Sequence, residues 1–241
     1  FSVVLSGGVL GSYVAMNEDS SVLYTSLQAA LDAANQDDTI RLLSDVSGNY
    51  TISTPVNVDF DGHDIDGNLD INVTAETNAF TLDGNGTLTG DLSVDAPNSS
   101  ITTDLNVSGN INVTSVSDQS LNLKGSISGT INVLGRGRIN TTLSAATAKA
   151  DVQTGDLVIF DGALSRITNS TNNAVIRVDG DVTTLQMNAS ASVFLSETTS
   201  VSEINTVNNI QVVVLVDDTT DIPNNLADEV FVVGQQFAAI N

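Results

Sequence analysis

The chain has 241 residues, and its seven Lys and Arg against 29 Asp and Glu give a formal net charge of −22 at pH 7. A surface this negative repels nucleic-acid phosphates and anionic membranes, which excludes both as partners, but it is compatible with cations, neutral glycans and other proteins. There is no cysteine, which excludes disulfides and thiolate metal sites, and no apolar run approaches the roughly 20 residues of a membrane helix.

The composition indicates an all-β domain. Hydrophobic residues make up 41% and aromatic residues only 4%, so the core must consist of Val, Ile, Leu and Ala. Ser, Thr, Asn, Asp and Gly suit the turns between short strands. The length fits one elongated domain over residues 1–241. Its expected segments are an N-terminal strand segment at 1–24, a cap helix at 25–35, solenoid coils at 36–210, and C-terminal strands or a cap at 211–241.

One helix is predicted near the N-terminus, after a mainly apolar stretch at residues 1–10. Thr25 as N-cap and Gln28 three residues later have the spacing of a capping box. Apolar residues then recur at the i, i+3, i+4 and i+7 positions that line one helix face: Leu27, Ala30, Leu31 and Ala34. The polar residues 35–38 end the helix, and no comparable helix is predicted after them.

A repeat of about 20 residues follows the helix. The pattern aliphatic-x-Gly-x-aliphatic-x-aliphatic occurs four times, with starts 23, 19 and 20 residues apart, at residues 65–71, 88–94, 107–113 and 127–133. Weaker copies occur at 160–164 and 178–182. A drifting period with internal alternation predicts a β-solenoid, whose coils turn their aliphatic side chains inward. The glycine indicates either a bend or a close approach between coils.

This repeat also predicts which side chains stack inside the rod. If residues 40–210 form three-faced parallel coils, the aliphatic residue after each glycine should repeat in one interior column. The four members of that column are Leu69, Leu92, Ile111 and Ile131.

Two stretches carry a resemblance to a known family. The segment SLQAALDAA at residues 26–34, followed by DTIRL at 38–42, resembles the start of the pectin-lyase-like right-handed parallel β-helix superfamily. Residues 56–65 look like the first coil of its non-enzymatic bacterial or archaeal cell-surface members. The resemblance covers residues 25–75 in detail. It implies a right-handed parallel β-helix with an amphipathic capping helix, and it implies little about activity.

Five aspartates form the densest acidic run of the chain, and as hard oxygen ligands they are candidates for a Ca²⁺ site: Asp59, Asp61, Asp64, Asp66 and Asp70. Asp59 and Asp61 are expected to point outward from one strand, and the other three to share a face. The run does not fit the EF-hand spacing, because His63 stands where the third ligand would be. Exposed turn aspartates or a catalytic pair are the other interpretations. No cofactor other than calcium is predicted.

The cations argue against an enzyme. The resemblance to the pectin-lyase-like superfamily implies that an enzyme of this kind would use Ca²⁺, Lys or Arg bases, or clustered carboxylates. The seven Lys and Arg residues of this chain are scattered along the sequence. Arg136 and Arg138 share a strand face, either as a site for an anionic ligand or as exposed strand charge. His63 is the only histidine, and with no cysteine and no second histidine a transition-metal site is not expected. A serine triad would have to use His63, and no serine near it stands in a nucleophile-elbow motif. We therefore predict no catalytic residues.

The function expected from these features is structural or adhesive. The chain begins at Phe1 without a Met, which favours a mature secreted product at the extracellular cell surface. Residues 212–216 and 230–233 are continuously apolar, and terminal strands at 1–10 or 229–240 could add to a neighbour's edge. The expected partner is therefore the protein itself, in a filament or surface layer.

The alternative is a polysaccharide-binding or polysaccharide-cleaving domain, with a cell-surface glycan as its partner. Sugars usually stack on Trp or Tyr side chains. This chain has no Trp and three Tyr, all before the repeats: Tyr13, Tyr24 and Tyr50. The shortage of aromatic residues favours the structural or adhesive interpretation.

Overall fold

The computed structural model describes residues 12–74, 78–116, 121–141, 147–197, 199–216, 222–223 and 226–234. Within these ranges the chain winds into a parallel β-solenoid of the right-handed type with about nine turns, and 3% of it is helical. The all-β solenoid that the repeat predicts is therefore confirmed. None of the helical structure in these ranges is long and apolar enough to cross a membrane.

The strands are short and follow one another at the spacing of the repeat. A small N-terminal unit consists of β1 (Ala15–Asn17), β2 (Val22–Tyr24) and α1 (Leu27–Ala33). The earlier coils contain β3 (Thr39–Leu42), β4 (Val46–Ser47), β5 (Tyr50–Ile52), β6 (Asn57–Asp59), β7 (Ile65–Asp66), β8 (Leu69–Asn72), β9 (Ala79–Asp83), β10 (Thr87–Leu88), β11 (Leu92–Ala96), β12 (Ser100–Thr103), β13 (Asn106–Val107), β14 (Ile111–Val116), β15 (Leu121–Leu123) and β16 (Thr130–Val133). The later coils contain β17 (Gly137–Thr141), β18 (Lys149–Val152), β19 (Leu157–Gly162), β20 (Leu164–Asn169), β21 (Ala174–Val178), β22 (Val182–Met187), β23 (Ala191–Leu195), β24 (Val201–Thr206), β25 (Val212–Val216) and β26 (Val230–Gly234).

Within the described ranges, three sheets run along the rod. Sheet A has thirteen strands in the order β2-β1-β3-β6-β9-β12-β15-β17-β19-β21-β23-β25-β26. Sheet B has the four strands β13-β10-β7-β4, and sheet C has the nine strands β24-β22-β20-β18-β16-β14-β11-β8-β5. β1 pairs antiparallel with β2 and β3, and the coil strands pair in parallel. Each coil therefore adds one strand to each sheet that it crosses.

The predicted interior column is confirmed. Leu69, Leu92, Ile111 and Ile131 are consecutive partners in sheet C, and each is at most 1% exposed. Burial of one such side chain contributes about 1.5–3 kcal/mol to the free energy of folding. The column continues through Ala150, so the core is one stack of aliphatic residues along the rod.

The recurring glycines mark a close approach between coils. Gly67, Gly90, Gly109 and Gly129 stack on one another, and a Cβ atom on any of them would lie well under 3.0 Å from the carbonyl oxygen of the glycine one coil earlier. Of the two explanations that the sequence left open, a clash between coils therefore applies at these positions. No larger residue fits there without moving two coils apart.

Asn or Asp side chains form a second ladder beside the glycines. The N–H of Asp91 donates to Asn68 Oδ1 at 2.9 Å, and the N–H of Asn110 donates to Asp91 Oδ1 at 2.7 Å. The N–H of Thr130 continues the ladder to Asn110 Oδ1 at 3.0 Å. Each side chain thus satisfies a turn N–H of the next coil, which the sheets cannot reach.

The prediction of three faces over the whole of residues 40–210 is wrong. Within the described residues, the last pairing along sheet B is the bridge from Ile127 to Val107. In later coils the links from sheet A to sheet C are too short for another strand, because Ala163 alone joins β19 to β20 and residues 179–181 join β21 to β22. Links of this length hold a turn but not a turn and a strand.

Helix α1 begins later and is shorter than the predicted 25–35. Its N-cap is Ser26 rather than Thr25, because Ser26 has extended backbone angles and its Oγ accepts the N–H of Ala29 at 3.4 Å. The predicted apolar face is confirmed for three residues that are buried: Leu27, Ala30 and Leu31.

Gln28 does not complete a capping box. Its side-chain oxygen accepts the N–H of Thr51 at 2.8 Å, and its side-chain nitrogen donates to the Thr51 carbonyl oxygen at 2.9 Å. Thr51 lies in β5, the outermost strand of sheet C. Gln28 therefore pairs with the two backbone groups that a further strand would otherwise bind.

Candidate functional site

The five aspartates of the calcium hypothesis lie on different parts of the coil. Asp59 ends β6 of sheet A, and Asp61 lies in the turn after it with a φ of 48°. Asp64 and Asp66 lie at β7 of sheet B, whereas Asp70 lies in β8 of sheet C. The expectation that the last three share a face is wrong, because the chain turns from sheet B to sheet C between residues 66 and 69.

Asp59 and Asp61 face a cation. The guanidinium of Arg41 donates from Nη2 and Nε to Asp61 Oδ2, and its Nε lies 3.8 Å from Asp59 Oδ2. Asp61 raises the pKa of Arg41, first by accepting its hydrogen bonds and then by its charge. This ion pair joins the first coil to the second.

Asp64 and Asp66 accept hydrogen bonds from the next coil. Asp64 Oδ1 accepts the N–H of Thr87 at 2.8 Å, and Asp66 Oδ1 accepts the hydroxyl of Thr89 at 2.9 Å. Within the described residues, no group of three or more His, Cys, Asp or Glu side chains is placed to hold a metal ion. Calcium binding by this run stays a prediction.

His63 contacts one carboxylate. Its Nδ1 lies 3.2 Å from Asp45 Oδ1, and that oxygen also accepts the N–H of Asp64 at 3.1 Å. The pKa of Asp45 is lowered, mainly by the Asp64 N–H and then by His63. This arrangement stabilises the turn between coils.

Arg138 lies on the outer face of sheet A and pairs with acidic residues. Its Nη1 is 3.7 Å from Asp161 Oδ2 and 3.8 Å from Asp179 Oδ2. Asp179 also accepts hydrogen bonds from Arg177 Nε at 2.7 and 3.0 Å. Arg136 precedes β17, which contains Arg138. The positive charge of Arg138 is thus already compensated by the protein's own carboxylates.

Two other cations are not compensated in this way. Lys149 and Arg166 are partners in neighbouring strands of sheet C, and neither has an ion pair within the described part of the chain. Like charges at directly opposed positions are destabilising. Both line a shallow depression of about 620 Å³ together with hydroxyl side chains from Ser126, Ser128, Thr147 and Ser165. The depression lies beside Ile127, where sheet B ends.

The outer surface of sheet A changes character along the rod. In the earlier coils its outward positions are polar, as in the aligned residues Thr102, Asn122 and Asn140. From β19 onward they are mostly apolar, and we call this surface the outer apolar face. Its apolar members are Leu157, Ile159, Val175, Phe194, Val213, Leu215, Phe231 and Val233. Part of it forms a groove of about 470 Å³ around Phe194.

Within the part of the chain that the structure describes, β2 and β26 are the outermost strands of sheet A. Both carry exposed apolar side chains: Val22 and Leu23 on β2, Phe231 and Val233 on β26. An outermost strand presents unpaired N–H and C=O groups that can pair with another chain. Sheet A therefore offers an apolar edge at each pole of the rod.

Sequence reasoning found only part of the outer apolar face. The continuous apolar runs predict the strands β25 and β26, whereas the coils predicted over residues 36–210 do not single out β19 and β21. Their signal is present in the sequence, because LVIF at residues 157–160 and AVI at 174–176 are apolar at inward and outward positions alike. Alternating apolar and polar residues would be expected if one face were in water.

Comparisons of the chain with protein-family models, with curated proteins and with solved structures gave no match.

Proposed function

We propose that this protein is a secreted, non-enzymatic structural or adhesive β-solenoid of the cell surface that assembles head to tail through its poles. The observation that carries this proposal is the apolar edge at each end of sheet A. A strand edge at one pole and a different edge at the other make a heterologous contact, which propagates into a filament instead of closing into a dimer. The net charge of −22 disfavours lateral contact between rods.

In this proposal sheet C is capped at the N-terminal pole, whereas sheet A makes the contact with a neighbouring molecule. Helix α1 acts as a cap for sheet C, because Gln28 pairs with the edge backbone at Thr51. Sheet A stays available there through the three residues of β2, next to that cap. This arrangement of capping helix and coils is the basis for placing the chain with the pectin-lyase-like β-helices, alongside the resemblance at residues 25–75.

The test measures assembly and fold in the same variants. Leu23→Lys places a charge at the β2 edge, and Leu134→Lys is the control, since Leu134 is similarly exposed (45% against 43%) but lies outside the poles. The mass from light scattering should rise with wild-type concentration and fall only in Leu23→Lys, with unchanged β-type circular dichroism. Scattering with and without Ca²⁺ also tests whether calcium takes part in the assembly. A monomer at every concentration contradicts the assembly proposal.

A second candidate function is binding of an anionic polysaccharide, which is favoured by the uncompensated Lys149 and Arg166. Two adjacent cations suit a carboxylate or sulfate group. The test is binding of acidic and neutral oligosaccharides to wild type and to a Lys149→Ala/Arg166→Ala variant. Salt-sensitive binding of acidic sugars that the double variant loses supports this function. Equal binding by both proteins contradicts it.

A further inference from the structure

We infer that the outer apolar face is the docking surface for a second copy of this chain, and that its occupant is the apolar segment at residues 1–10 of the neighbouring molecule. The inference rests on the proposed head-to-tail assembly and names the surface and the segment that would make the contact. The segment FSVVLSGGVL contains six large apolar residues: Phe1, Val3, Val4, Leu5, Val9 and Leu10.

The strands beneath the outer apolar face carry apolar residues on both sides. β25 reads VVVLV, and its inward residues Val212 and Val214 are fully buried while Val213 and Leu215 face outward. Strands with apolar residues on both sides are typical of sheets that are covered on both faces. Phe194, Phe231 and Val233 are nevertheless 41–52% exposed in the single chain. The face therefore has the composition of an interface.

The area of the outer apolar face suits a single chain segment. Five strands, each about five residues long, present a surface of roughly 20 by 16 Å, or about 300 Å². That is the size of a functional surface patch, but well below the ~800 Å² per partner of a standard protein interface. A face of this area suits one extended apolar segment laid across it. Two rods packed side by side on this face alone would bury too little area.

The segment at residues 1–10 is too short to lie over the outer apolar face of its own rod. Nine strand spacings separate β1 from β23, which contains Phe194, so the distance along the rod is roughly 43 Å. Residues 1–11 precede Ser12 and span at most about 36–40 Å when fully extended. Even Phe1 cannot reach Phe194 of its own rod. The two nearer strands of the face, β19 and β21, lie seven and eight spacings from β1, roughly 34 and 38 Å, so the fully extended segment would only touch them with its first residues and could not lie along the face.

The segment is long enough to reach this face on a neighbouring molecule. In a head-to-tail stack, β2 of one copy lies beside β26 of the other, so its β1 is about four spacings, or roughly 19 Å, from the other copy's β23. Leu5 is seven residues from Ser12 and reaches about 23 Å. Residues 1–5 of one copy can therefore lie over the face of the next. The uncharged segment adds no acidic group to this contact.

Disulfide trapping tests this contact directly, because the chain has no cysteine of its own. Leu5→Cys and Phe194→Cys are made as single variants carrying different tags, mixed, and oxidised with copper phenanthroline. Leu134→Cys replaces Phe194→Cys in the control, since its exposure of 45% is close to the 41% of Phe194. We expect a mixed-tag dimer with Phe194→Cys at several times the yield of the control, and a ladder of oligomers from the Leu5→Cys/Phe194→Cys double variant.

Two results would overturn the inference. One is an equal dimer yield from the Phe194 and Leu134 variants, and the other is a monomeric double variant closed by an internal disulfide. Light scattering on wild type separates these failures from failure of the proposed function. Assembly without selective trapping at Phe194 rejects this docking surface alone, whereas a monomer at all concentrations rejects both.

Discussion

Replacement of Gly109 by alanine should loosen two adjacent coils. A Cβ atom at this position would lie well under 3.0 Å from Gly90 O and Asp91 Oδ1 in the preceding coil. The neighbouring atoms belong to backbone or to a hydrogen-bonded side chain, so the clash is relieved only by separating the coils. That movement weakens the bond from the Gly109 N–H to Gly90 O at 3.2 Å and from the Asn110 N–H to Asp91 Oδ1 at 2.7 Å.

The expected loss follows from these contacts. Two hydrogen bonds weakened by about 0.5 kcal/mol each, with overpacking of about 1–3 kcal/mol, lower the free energy of unfolding by about 2–4 kcal/mol. For a chain of this length the melting temperature should fall by about 5–15 °C. Partial unfolding of one section is also possible in a solenoid, so circular dichroism melts should be compared with urea titrations.

Gly155→Ala is the matched control. Its Cβ atom would lie 3.9 Å from the nearest backbone oxygens, in ordinary contact. We expect a change within about 0.5 kcal/mol. A change of 1 kcal/mol shifts the melting temperature of a chain of this length by about 2–4 °C. If Gly109→Ala melts within about 2 °C of both wild type and Gly155→Ala, the close approach between coils does not constrain the sequence, and the explanation of the recurring glycine is wrong.

Three further predictions concern the N-terminal pole. Leu31→Asp should lower the free energy of unfolding by about 2–5 kcal/mol in urea titrations, because it buries a charge, whereas Ala29→Asp on the exposed face of α1 should change it little. Gln28→Ala should cost about 1–3 kcal/mol and speed amide hydrogen exchange at Thr51, since both Thr51 backbone groups lose their partner; unchanged exchange would contradict the edge-cover explanation. The pKa of Asp45 is lowered on folding, so the charged Asp45 side chain stabilises the fold above about pH 4, and this stabilisation is lost as pH falls through the folded pKa. In acid titrations Asp45→Asn should therefore lose less of its free energy of unfolding than wild type. Identical acid transitions of the two proteins would exclude this contribution of Asp45.

The interior of the rod was predictable from the sequence because it depends on local periodicity. Alternation placed Leu69 and Leu92 inward, and the spacing of the glycines set the register that stacks them. The ladder of Asn68 and Asp91 was missed, since its hydrogen bonds join residues 23 positions apart and no local pattern distinguishes a ladder side chain from any turn Asn or Asp.

The limits of the helix and of the third face were less predictable. Thr25 and Ser26 are both good N-caps, and the choice between them depends on how α1 lies against the coils. In the described coils, sheet B does not continue after Ile127 because the links from sheet A to sheet C become short, and their lengths depend on where each strand stops. The shared face predicted for Asp64, Asp66 and Asp70 depends on their closeness in sequence, but a turn at Gly67 separates Asp66 from Asp70. Contacts across coils decide all of these features.

Electron microscopy of the concentrated wild-type protein tests the head-to-tail assembly most directly. Head-to-tail assembly predicts unbranched filaments one rod wide, with strands spaced about 4.8 Å along the axis and a subunit repeat of roughly 60 Å from the thirteen stacked strands of sheet A. Separate short rods at every concentration, or rods joined side by side, would contradict it.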